Sequence, residues 1–163
     1  MRVWQERPIE IAHLFNPAFC ALLMAAGVSG FTEQDESGMP YPLSFVLLPI
    51  VLHRSTREAL PNTLSTKMHP WIQRNQDVRV GFAERCHAIS GHIREAVLFA
   101  GLSGLISFSA DARMKPTKVS LKTPAWPAES ESAVCLRRAR FVGRWLANAG
   151  EVGTVFAMWG IRP

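Results

Sequence analysis

The stretch Arg7-Pro8-Ile9-Glu10-Ile11-Ala12-His13-Leu14-Phe15-Asn16-Pro17-Ala18-Phe19-Cys20 constrains the fold most, because it is apolar and punctuated twice by proline. Proline fixes φ and lacks an N–H, so it suits the first position of a helix and disrupts a helix interior. The block therefore predicts two short helices rather than one long one. Pro8 opens the first, with Glu10 at the positive end of the dipole and Ile9, Ala12 and Phe15 along one face. Asn16 caps the second and Pro17 opens it. That helix is predicted to run from Pro17 to about Gly27, with Phe19, Leu22, Leu23 and Ala26 as its apolar stripe and Gly27 and Gly30 as its stop. What this block packs against is the first question about function, since no other stretch carries legible catalytic chemistry.

Thr32 to Tyr41 reads as a polar loop holding Glu33, Asp35, Glu36 and Gly38, closed by Pro40 and Pro42. Leu43, Val46, Leu47, Ile50 and Val51 then recur at helical spacing. Pro49 and the β-rich composition keep a buried strand open for 43–52, with helix the favoured reading. Pro61-Asn62-Thr63 is a break, and Thr63 or Ser65 is the expected cap for the next segment. Trp71 and Ile72 anchor a short helix. Asp77 is expected to start another, carrying Val78, Phe82, Cys86 and Ile89, which Ser90-Gly91 breaks before Ile93, Val97 and Ala100 continue the period to Gly101 and Gly104.

The period then changes to two. Leu105 to Ser109 alternates, Asp111-Ala112 turns, and Thr117 to Lys122 alternates again, predicting a β-hairpin. Helices followed by a basic hairpin outline a winged-helix module. Beyond a connector with Pro124 and Pro127, Ser130 or Ser132 caps a longer helix reaching Asn148, stopped by Gly150. Val134, Phe141, Val142, Trp145 and Leu146 face inward, while Arg137, Arg138, Arg140 and Arg144 spread over other faces, so at least one should meet a carboxylate. Thr154 to Pro163 is apolar almost to its last residue and is expected to dock on the core or on another chain. Phe156, Trp159 and Ile161, with Phe15 and Phe19, are the candidate partner-interface residues. The expected architecture is mainly α (α+β): one domain over 1–163, with a helical part at 1–61, a winged-helix-like part with one small hairpin at 62–123, and a C-terminal helical segment at 130–163.

A chain of 163 residues is long enough to bury roughly 70% of its unfolded surface. No run reaches the ~18 apolar residues of a membrane span, and the first residues lack the apolar core of a signal peptide. Cys20, Cys86 and Cys135 are widely spaced without a CxxC and read as buried, reduced thiols of a cytoplasmic protein. The net charge of +5 is uneven: residues 1–64 hold four arginines against six acids, and residues 65–163 hold fourteen basic groups against seven acids. A neutral-to-acidic apolar front and a basic back imply two surfaces with different partners.

The nucleotide-binding GxxxxGK[ST], the GxSxG nucleophile and HExxH are all missing, and no Asp or Glu stands two residues before a lysine as in many nucleases. The histidines do not pair at metal spacing, except Cys86-His87 with His92 across an expected break. No catalytic, cofactor-binding or metal-ligating residue is assigned, and His13 and His53 read as hydrogen-bonded boundary residues. Arg113, Lys115, Lys118 and Lys122 populate the hairpin, where a wing would touch phosphates; lysines that discourage edge pairing are the competing reading.

Arg7-Pro8…Glu10…Ala12…Leu14-Phe15-Asn16-Pro17-Ala18-Phe19-Cys20, Gly38-Met39-Pro40…Pro42-Leu43, Leu48-Pro49-Ile50-Val51-Leu52-His53, Thr56-Arg57…Leu60-Pro61, Phe141-Val142-Gly143-Arg144-Trp145 and the ending Gly160-Ile161-Arg162-Pro163 resemble the middle component of bacterial ABC three-component conflict systems. That family includes the small subunit of Lamassu-type anti-phage defence. The resemblance implies a non-enzymatic adaptor that accompanies an SMC- and Rad50-like ATPase and a separate effector, often a nuclease, with DNA contacted through the complex. ATP and Mg²⁺ would belong to the partner. A stand-alone winged-helix DNA regulator and a small-molecule enzyme with a pocket near His53 or His92 are the other classes left open.

Overall fold

The computed structural model describes residues 15–118 and 125–162. The predicted helix from Pro8 lies outside them. Asn16 caps as expected: its Oδ1 accepts from the N–H groups of Ala18 at 2.9 Å and Phe19 at 3.3 Å. Helix α1, Pro17–Thr32, follows. It does not stop at Gly27 or Gly30. Instead these glycines are the points where neighbours come closest. A Cβ at Gly27 would strike the Leu47 side chain, and one at Gly30 would strike the carbonyl oxygen of Arg140. The expected one-sided stripe is also incomplete, because α1 is buried on most of its circumference, from Cys20 to Phe31. It is the central helix, packed against three others.

A two-residue strand β1, Met39–Pro40, and a 3-10 turn, Tyr41–Leu43, lead into α2, Ser44–Leu52. The 43–52 segment is thus helical from Ser44. Pro49 removes one internal hydrogen bond, a loss offset by burying every residue from Val46 to Val51. After α3, Arg54–Ala59, the chain reaches α4, Met68–Arg74. Neither Thr63 nor Ser65 caps α4; their hydroxyls bond each other at 2.7 Å, and Lys67 holds the cap position without a side-chain bond.

Asp77 lies in a second 3-10 turn, Gln76–Arg79, not in the long helix. Gly81, at φ 64°, separates that turn from α5, Phe82–Leu102. Helix α5 runs unbroken through Ser90-Gly91, contrary to expectation. A glycine inside a helix costs about 1 kcal/mol, less than the burial of Phe82, Cys86, Ile93, Val97 and Ala100 supplies across the same face.

Strands β2, Ile106–Phe108, and β3, Arg113–Pro116, pair antiparallel, and β3 also pairs with β1, giving the order β1-β3-β2. The hairpin exists, but its second strand begins four residues earlier than predicted. Ala112 adopts φ 57°, and the Ser109 N–H bonds the Arg113 carbonyl at 2.9 Å, so the chain reverses at once. This register places Met114, fully buried, opposite Phe108. Of the predicted second strand, Thr117 and Lys118 lie beyond β3 and 119–122 lies outside the described residues.

Ser130 caps α6, Glu131–Ala147, by accepting from the Ala133 N–H at 3.3 Å. Gly143 of α6 faces Gly27 of α1, and a Cβ on Gly143 would strike the Gly27 carbonyl. The two helices therefore meet backbone to backbone. The ending does dock: α7, Val152–Trp159, buries Val155 and Trp159 and stops at Gly160, φ 72°. Trp71 of α4 packs edge-on to Trp145 of α6 with centroids 5.1 Å apart, and the Trp145 indole N–H donates to the Thr66 carbonyl at 2.8 Å. The fold is mainly α with a small antiparallel sheet, as its class was predicted to be.

Candidate functional site

The basic hairpin is more self-satisfied than its composition implies. Arg113 Nη1 donates to Ser37 Oγ and to the Gly38 carbonyl, both at 2.8 Å, and Nε lies 3.3 Å from Asp111 Oδ2. The guanidinium thus ties β3 to the acidic loop before β1. The Ser37 hydroxyl and N–H, followed by the charges of Arg113 and Lys115, hold the Asp35 carboxyl below its ordinary value. A bond from the Ser109 hydroxyl does the same for Asp111. Lys115 is half-buried against Gly38 and Lys118 is exposed, while Lys122 lies outside the described residues. Two ionised carboxylates therefore sit beside the part of this set that the structure places.

The apolar candidates fall in two places. Phe15 stacks on His92 with centroids 4.6 Å apart, and Phe19 meets Trp126 edge-on, both at the start of α1. At the end of α7, Phe156 and Ile161 are half-buried and joined by a backbone bond of 2.9 Å. Trp159 is 1% exposed, inserted between Phe82 and Trp71 in the chain's own core.

A surface that sequence reasoning missed lies on the outer face of α5. Leu98 is 65% exposed, Leu102 89% and Phe99 42%, and Phe108 of β2 continues the patch at 49%. Leu98, Phe99 and Leu102, with Pro17 and Ala18, border an open groove of about 850 Å³, which passes Gly91. Arg94 sits at its edge with its guanidinium 5.8 Å from the Phe45 ring centre. The signal was present in Val97-Leu98-Phe99-Ala100, which is apolar on both sides of the helix when only Val97 and Ala100 are needed inside.

Among the described residues, the cysteines and His53 are held by burial and by structural bonds. Burial pushes the Cys20 and Cys86 thiols up to about 12 and raises that of Cys135, so none is a thiolate near neutrality. His53 is held below its ordinary value, chiefly by burial and then by the charges of Arg85 and Arg57; its Nδ1 lies 2.8 Å from Thr56 Oγ1, so it is the bonded boundary residue expected. Arg57 is 4% exposed and donates to the Val51 carbonyl and to Glu131 Oε1, each at 2.7 Å, joining the end of α2 to the start of α6. Of the α6 arginines, Arg140 pairs with Glu33 through Nε at 2.7 Å, so the expected carboxylate partner is internal. No cluster of metal-ligating side chains is found among the described residues, and none of their helices is long and apolar enough to cross a membrane.

No curated protein and no solved structure matches the chain significantly. A family model described as ABC-three component (ABC-3C) system Middle Component 3 matches residues 4–163. That span includes the capped start of α1, the buried Pro49 helix, the Gly143 contact and the docked α7, and the chain belongs to the family of Middle Component 3 proteins of ABC-three component systems.

Proposed function

We propose that the protein is a non-enzymatic adaptor of a Lamassu-type defence complex, joining an SMC- and Rad50-like ATPase to an effector nuclease. The observation that carries this reading is the family match over residues 4–163, which makes the chain the middle component of a three-component system. The apolar groove along Leu98, Phe99 and Leu102 supports it, because large side chains this exposed are a cost to a solitary protein and an asset to a subunit. On this reading the ATPase fills the groove. The α5 helix and the β2–β3 hairpin form the winged part, and the complex works in the cytoplasm. DNA is met through the assembly, with Lys115 and Lys118 rather than Arg113 available to phosphates.

The test is coexpression with an SMC-like ATPase and an effector of the same three-component system. The three should copurify, and the subunit alone should neither hydrolyse ATP nor cut DNA with Mg²⁺ or Mn²⁺. Replacing Leu98 and Leu102 with aspartate should leave melting unchanged and release the subunit. Each leucine buried at an interface contributes about 1.5–3 kcal/mol, so the double change should lower affinity by at least a hundredfold. Turnover that follows the subunit's own elution peak, or a homodimer that binds one DNA sequence selectively, contradicts the adaptor reading.

A further inference from the structure

The groove that the adaptor reading gives to the ATPase also limits the shape of what fills it. Gly91, Glu95, Leu98 and Leu102 all line it. They stand four, three and four residues apart along α5. Alternating steps of four and three keep one row of side chains turned toward a neighbour over successive turns, which is the seam a helix presents to a second helix. No described helix covers this seam at Leu98 and Leu102, which are 65% and 89% exposed. The residues that α5 buries, among them Ile93, Ala96, Val97 and Ala100, belong to another face, packed on α1 and α2.

The walls of the groove favour a helix over a strand. One wall is the capped start of α1, where the N–H groups of Ala18 and Phe19 already bond Asn16 Oδ1. The other is the middle of α5, whose backbone groups are spent within the helix. Neither wall offers a ladder to join, so a strand laid here would bury its own N–H and C=O groups unpaired. A helix satisfies its backbone internally and brings only side chains. From Gly91 to Leu102 the seam is about 16 Å long, enough for about three turns of a partner.

Charge adds a second constraint. Glu95 Oε2 lies 3.9 Å from His92 Nδ1. Arg94 is exposed and makes no ion pair among the described residues, and its guanidinium lies 5.8 Å from the Phe45 ring centre. An arginine steadied on an aromatic face keeps its N–H donors for a carboxylate. We infer that the groove holds an amphipathic helix of the ATPase, with an apolar stripe along Leu98 and Leu102 and a carboxylate set against Arg94. The ATPase as its source rests on the adaptor reading; the helical form and the acidic flank rest on the groove.

The test uses the coexpressed complex. The photo-crosslinker p-benzoylphenylalanine is placed at Arg94 or at Leu102, eight residues apart and about 12 Å apart along α5, and the joined partner residues are mapped by mass spectrometry. A helix lying along α5 gives two sites about eight residues apart, whereas a strand gives about four. Arg94→Glu should leave melting unchanged and lower affinity at least tenfold, the scale of one charge-assisted hydrogen bond. Changing the partner acid nearest the Arg94 crosslink to lysine should restore binding of Arg94→Glu. Helical spacing found on the effector contradicts the assignment of the groove to the ATPase and leaves the helical occupant standing. The inference is overturned if the two sites lie a strand's distance apart, if they fall on a second copy of this chain, if neither label crosslinks in a complex that still copurifies, or if Arg94→Glu binds as tightly as the parent.

Discussion

Adding a single methyl group to Gly143 should destabilise the protein even though it improves helix propensity. The position lies within α6, so alanine gains about 1 kcal/mol there on intrinsic grounds. Its Cβ, however, would occupy the space of the Gly27 carbonyl oxygen on α1. An overlap with a side chain relaxes by rotation, but an overlap with backbone relaxes only when the helices part, and α1–α6 is the most extensive helix contact in the fold. Overpacking costs typically 1–3 kcal/mol, and a rigid obstacle places this case at the upper end. The net loss is then about 2 kcal/mol, or roughly 4–8 °C in Tm for a chain of this size. Gly30→Ala, whose Cβ meets the Arg140 carbonyl, should behave alike, and Gly27→Ala should lose less because the Leu47 side chain can move. Gly153→Ala in α7 is the control: no atom lies within 4 Å of its Cβ position, so it should gain about 0.5 kcal/mol. Thermal denaturation followed by circular dichroism ranks the four. If Gly143→Ala and Gly30→Ala melt at or above the parent temperature, the backbone-to-backbone packing of α1 on α6 is refuted.

Arg57→Ala removes a buried cation and leaves the Val51 carbonyl only the long contact from the Cys135 thiol at 3.9 Å, so chemical denaturation should show a loss of about 3 kcal/mol. Glu131→Gln should cost about 1 kcal/mol or less, because the Glu131 side chain is 69% exposed and water can replace it. The folded-state value of His53 lies below its ordinary 6.5. As pH falls past about 6.5 the unfolded chain therefore takes up the proton first, and stability should decline until pH passes the folded value. His53→Gln should flatten that part of the stability–pH curve. Ellman's reagent at pH 8 should leave Cys20, Cys86 and Cys135 unmodified in the folded protein, with reaction following unfolding.

What could be read in the sequence was what depends on neighbours along the chain. Asn16-Pro17 and Ser130 announce helix starts through bonds to residues two or three positions away, and they capped where expected. Gly27 and Gly30 were misread because a glycine that ends a helix and one that admits another helix look the same. Leu47, and Gly143 and Arg140 more than a hundred positions later, separate the two. The register of β3 was missed because one buried methionine between Arg113 and Lys115 is a weaker signal than the alternation after it. The same distance in sequence hid the fate of Arg113, which meets Ser37 and Gly38 across the fold. The α5 groove was hidden differently: Leu98, Phe99 and Leu102 look like core residues, and only packing shows which apolar side of α5 the other helices leave uncovered.

The adaptor account is tested most directly by a photo-crosslinker, p-benzoylphenylalanine, placed at Leu102, the most exposed large apolar residue of the patch. Irradiating the coexpressed system should join this subunit to the ATPase. The same label at Gln73, exposed on α4, should give little of that product. Equal crosslinking from both positions, or none from Leu102 in a complex that still copurifies, would contradict the claim that this face of α5 holds the assembly together.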